Sequence, residues 1–80
     1  MMKDGSKMEV IETKSSFIDE IGYDPVSSSL FIKFRKGKVF RYVDVPKEVF
    51  AELKEVVRLE GSVGKFYSQK VKSKFQSVPM

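Results

Sequence analysis

The 80-residue chain contains no cysteine, no histidine and no tryptophan, and asparagine is missing too. Without cysteine there are no disulfides, no thiolate nucleophile and no zinc–cysteine site. Small secreted domains usually carry cross-links, so the expected compartment is the reducing cytoplasm. Without histidine the chain also lacks the commonest general base and the usual transition-metal ligand. Long hydrophobic runs are equally scarce, and no stretch suits a signal-peptide core or a membrane span. The expectation is a non-enzymatic protein with no cofactor, no metal and no membrane partner.

What is present is charge, unevenly placed. The net charge is +4, but residues 25–43 carry Lys33, Arg35, Lys36, Lys38 and Arg41 with no acid, and residues 62–80 carry Lys65, Lys70, Lys72 and Lys74 with no acid. The segments between and before them are net acidic. If folding joins the two basic segments, they form an electrostatic footprint for a polyanion. If it does not, they are ordinary solvated side chains.

Hydrophobic periodicity divides the rest of the chain. Val10 and Ile11, within residues 8–13, suit at most a short edge strand. From Phe17 to Tyr23, residues Phe17, Ile21 and Tyr23 share one parity, while Ile18 falls on the other and suggests a bulged or partly paired start. Asp24-Pro25 and Ser27-Ser28-Ser29 are turn chemistry. Leu30, Ile32 and Phe34 then alternate with Phe31, Lys33 and Arg35, and a second alternating run covers Val39 to Val45. A two-residue loop at Lys36-Gly37 would pair Ile32 with Arg41 and bury a guanidinium. A three-residue loop with Gly37 at positive φ instead pairs Phe34 with Lys38, Ile32 with Phe40 and Leu30 with Tyr42. Burying an unpaired arginine costs several kcal/mol, so the second register is expected.

Pro46 opens a helix whose Val49, Phe50, Leu53, Val56 and Val57 form one stripe, with Gly61 as its stop. Ser62 caps a second helix bearing Val63, Phe66, Tyr67 and Val71 on one side. The expected fold is a small α+β domain. Its sheet is antiparallel and three-stranded, or four-stranded if residues 8–13 join it, and two helices follow, packed on one face. Residues 1–14 form a flexible segment or edge strand, residues 15–76 the folded domain, and residues 77–80 a frayed tail.

These residues in this order resemble the KTSC domain family. The matching pieces are Ser16; Ile18 with Ile21-Gly22-Tyr23-Asp24; Leu30, Ile32 and Phe34; Gly37 with Phe40-Arg41-Tyr42; and Val45-Pro46. Ser62, Gly64, Phe66, Val71-Lys72 and Phe75 complete them. The family's central Tyr-x-Tyr has Phe40 in its first place, so one hydroxyl is missing. Ser68 stands where an asparagine is common. Such domains occur alone and at the C-terminus of some lysyl-tRNA synthetases. The resemblance therefore implies a small accessory module with RNA as its associated ligand class, and it transfers no site residue.

Catalytic constellations fail on inspection. Asp19 and Glu20 are neighbours on a strand and point to opposite faces. Gly61-Ser62-Val63-Gly64-Lys65 has glycines too close for a phosphate loop, and Phe66 stands where a Mg²⁺-binding hydroxyl belongs. Ser62, Gly64 and Lys65 remain an anion-holding candidate, with capping and close packing as the plainer explanation. The leading expectation is a nucleic-acid-binding surface, for RNA or another nucleic acid. It uses Lys33, Arg35, Lys36, Lys38 and Arg41, helped by Lys65, Lys70, Lys72 and Lys74. The alternative is a protein partner or a homodimer on an apolar sheet face of Phe31, Val39 and Val43.

Overall fold

A computed structural model describes residues 8–79, so the expectations for residues 1–7 and for Met80 lie outside it. The chain forms β1 (Glu9–Glu12), β2 (Ile18–Asp24), β3 (Ser29–Phe34), β4 (Val39–Tyr42), α1 (Lys47–Arg58), α2 (Val63–Phe66) and β5 (Ser77–Pro79), with α2 continuing as a π-helical stretch over Tyr67–Lys72. All five strands join one antiparallel sheet in the order β1-β2-β3-β4-β5. The sheet is thus wider than the three or four strands expected from the pattern. The largest departure is β5, where a frayed tail was expected. Tyr42, Arg41 and Phe40 pair with Ser77, Val78 and Pro79. A three-residue strand ending in proline has no alternation to read, and only the waiting edge of β4 makes it a strand.

The β3–β4 hairpin takes the three-residue register. Leu30 opposes Tyr42 and Ile32 opposes Phe40. The Phe34 N–H donates to Lys38 O at 2.8 Å, the Gly37 N–H donates to Phe34 O at 2.8 Å, and Gly37 has φ 98°. That register sends Leu30, Ile32 and Tyr42 into the core and turns Phe31, Lys33, Val39 and Arg41 to the opposite face.

The start of β2 departs from simple alternation. The ladder to β3 shifts between Ile18 and Glu20, which inserts one extra residue and reverses parity. Ile18 is therefore fully buried, while Phe17, expected on the core face, is 47% exposed. The loop before the bulge is tied down by side chains. Ser15 Oγ accepts from the Phe17 and Ile18 N–H groups at 3.2 and 3.3 Å, and Thr13 Oγ1 donates to Ile18 O.

Both helices pack on the inner face of the sheet. Phe50 and Leu53 of α1, with Val63, Tyr67 and Val71, join Ile18, Ile21, Leu30 and Ile32 in one core. Tyr23 stacks on Phe50 with ring centroids 5.3 Å apart and donates to Val45 O at 2.6 Å. Pro46 stands just before α1, and Gly61 lies just past its end. The left-handed residue there is Glu60 (φ 57°), one position earlier than glycine. The Glu60 N–H donates to Val57 O and the Gly61 N–H to Val56 O, the paired bonds of a Schellman close.

Candidate nucleic-acid interface

Bulge, hairpin tip and helix junction meet at one end of the sheet. The Phe17 ring meets the Phe34 ring edge-on at 6.0 Å, and the Arg35 N–H donates to Phe17 O at 3.0 Å. On its other side the ring lies over Gly64, where an added Cβ would be 3.8 Å away. Phe17 thus stands between the hairpin carrying Lys36 and Lys38 and the start of α2 carrying Lys65.

Beside it runs a groove of about 770 Å³, lined among others by Lys14, Ser16, Phe17, Lys65, Ser68 and Gln69. Its back wall is the α1–α2 junction, Glu60 to Gly64. Ser62 Oγ accepts from the Lys65 N–H at 3.2 Å, which fixes the first turn of α2. Lys14 Nζ lies 3.7 Å from the Glu60 carboxylate, with the two side chains 90% and 75% exposed. A pair so open to solvent is weak and yields readily to a competing anion.

The nine cations expected to share a surface are divided. Arg35 is a structural clamp: its guanidinium donates to Ser15 O at 2.8 Å, Thr13 O at 3.1 Å and Asp19 Oδ1 at 3.1 Å. It holds the loop that presents Phe17. Lys36 and Lys38 at the tip are exposed, as is Lys65 across Phe17. Lys33 and Arg41 sit on the outward sheet face, with the sheet between them and the helices. Lys33 there has Glu20 as its cross-strand neighbour, and Arg41 Nε donates to Ser29 Oγ at 2.9 Å. Lys70, Lys72 and Lys74 are exposed further along the π-helical stretch and just beyond it.

The outward face itself is more apolar than basic. Phe31, Val39 and Val43 lie there half-buried, and exposed Val10 and Val78 extend the same surface. Sequence reasoning missed Lys14, Ser16, Phe17 and Gln69 as one group. The available signal was the doubled apolar pair Phe17-Ile18 directly after two serines, which breaks alternation where a bulge turns one side chain outward.

The KTSC domain family model matches residues 14–75, which include both walls of this groove. The chain belongs to the KTSC family. Its Phe40-Arg41-Tyr42, in the family's central place, lies in β4 with Tyr42 in the core and Phe40 half-buried, edge-on to Phe34 at 5.8 Å. A protein of Tsukamurella paurometabola is 36% identical over 67 residues, covering 84% of this chain and 94% of its own. An uncharacterized protein of Stutzerimonas stutzeri is 34% identical over 62 residues, covering 78% and 82%. The crystal structure of a KTSC domain protein from Yersinia pestis superposes with a TM-score of 0.80 at 32% identity, over 91% of this chain and 97% of that one. The architecture is thus that of a solved KTSC domain. Among the described residues no helix is long and apolar enough to cross a membrane.

Proposed function

We propose that this KTSC domain is a non-enzymatic module that binds single-stranded RNA or another single-stranded nucleic acid at the Phe17 end of the sheet. The observation that carries the reading is a half-exposed aromatic ring beside a groove, with lysines from separate chain segments around it. Single strands are held by stacking of bases on such rings while ammonium groups meet the phosphates. In this reading Phe17 stacks a base and Lys14, Lys65, Lys36 and Lys38 take the backbone. Ser68 and Gln69 offer a hydroxyl and an amide to a base edge. The absence of histidine and cysteine supports binding over catalysis, and so does the engagement of Asp19 by Arg35.

Fluorescence anisotropy with short labelled RNA and DNA of mixed sequence, over a range of salt, is the test. Binding should weaken as salt rises, and Lys65→Ala should flatten the log–log slope by about 0.7. Phe17→Ala should cost about 1–3 kcal/mol of affinity, as loss of one stacked base does. Absence of binding at low salt, or binding indifferent to Phe17, Lys14 and Lys65 together, removes this reading.

A further inference from the structure

The outward sheet face has its own pattern, independent of the groove. Its middle row runs Val10, Gly22, Phe31, Arg41, Val78 from β1 to β5, and the row beside it runs Glu12, Glu20, Lys33, Val39. Acids therefore occupy the β1–β2 half and cations the β3–β4 half, with apolar side chains through both. Val10 is 49% exposed and Val78 46%. At Gly22 an added Cβ would lie 2.9 Å from the Met8 methyl and 3.4 Å from Val10. These two side chains lean across the glycine and make a low apolar floor beside Phe31, while β1 extends the sheet edge without crossing its face.

We infer that this face pairs with the same face of a second copy of the chain, about a two-fold axis running along the strands between β2 and β3. Such an axis keeps each row opposite itself and exchanges β2 with β3 and β1 with β4. Glu20 then faces Lys33 of the second copy, and the Phe31 ring of that copy lands on the floor over Gly22. Val10 meets the aliphatic stem of Arg41. Symmetry makes every contact twice, so the separation of acid and base becomes self-complementary. The four overlapping strands, β1 to β4, about 4.8 Å apart and with three rows about 7 Å apart, give only roughly 400 Å² per copy, half that of a standard interface. The dimer is weak and reversible.

Sedimentation of the full chain from micromolar to millimolar concentration should show a monomer–dimer equilibrium. Glu20→Lys alone and Lys33→Glu alone should each raise the dissociation constant about tenfold or more, because like charges then face each other twice. Mixing those two variants should restore association as a heterodimer, since both facing pairs become attractive. Melting curves keep folding defects apart from this readout. A chain that stays monomeric at millimolar concentration overturns the inference, as does a dimer unaffected by either reversal or a mixture that does not reassociate. RNA binding lost on Phe31→Ser overturns it as well and assigns the face to nucleic acid. The sedimentation outcomes leave the Phe17 groove untouched, whereas loss of RNA binding on Phe31→Ser counts against that groove as well.

Discussion

Glu60 holds a backbone conformation that glycine usually takes at the end of a helix. Its φ of 57° carries the Schellman bonds at the close of α1, and a side chain there costs about 1–2 kcal/mol against Cβ crowding. Glycine relieves that strain but is floppier when unfolded, so Glu60→Gly should raise stability by about 0.5–1 kcal/mol in urea unfolding. The same change removes the exposed carboxylate beside Lys14 and should tighten nucleic-acid binding slightly. Tyr42 is the second residue-scale case. Its hydroxyl is buried and 2.5 Å from that of Tyr67. Burial first, and then the hydrogen bond shared with Tyr67, which holds the neutral phenol, push Tyr42 well above its ordinary range. The folded state thus keeps a proton that the unfolded chain releases above about pH 10. Stability from this group is complete below that pH and falls as pH rises beyond it. Urea midpoints across the alkaline range should decline in the native chain and decline less in Tyr42→Phe. At neutral pH that variant should cost about 1–3 kcal/mol, because the Tyr67 hydroxyl is left buried without its partner.

At the scale of elements, the β3–β4 turn decides which face each side chain meets. Gly37 has φ 98° and open space around the position of a Cβ, so a substitution there meets backbone strain and no clash. Gly37→Ala should destabilise by about 1–2 kcal/mol, read as a lower urea midpoint with native amide protection retained along β3. The hairpin was legible because the wrong register would have buried Arg41, and electrostatics excludes that by a wide margin. Helix α1 was legible for a similar reason: Phe50 and Leu53 recur with the helical period and nothing competes with Pro46 as its start. The second helix was legible in its cap and in its core side, with Val63, Tyr67 and Val71 buried and Phe66 packed against them, and not in its winding. Ser62 caps it as expected, but the π-helical winding from Tyr67 onward follows no local signal. Tyr67, at the start of that wider turn, meets Tyr42 and Phe34 edge-on in the core, and the winding belongs to packing.

For the molecule as a whole, charge and hydrophobicity are sorted by surface. The groove end has Lys14 and Lys65 beside Phe17, with Lys36 and Lys38 exposed at the hairpin tip, while the outward sheet face carries the apolar row and its opposed charges. Binding of nucleic acid should therefore depend steeply on salt, and self-association through a largely apolar face should depend on it less; measuring both over one salt series separates the two surfaces. Part of this was written in local pattern. The strand alternation, the helical stripe, the glycine at the hairpin and the family membership all follow from neighbours along the chain, because steric preference and a two- or 3.6-residue period act locally. Tertiary structure alone decided the rest. Phe17 stands half exposed because β3 and α2 bring Phe34 and Gly64 to its two sides, Arg35 is spent on backbone carbonyls of a distant loop, and Ser77–Pro79 become a strand because β4 has a free edge. Each of these depends on partners far away in sequence, and energies of that kind leave no period for a one-dimensional reading to find.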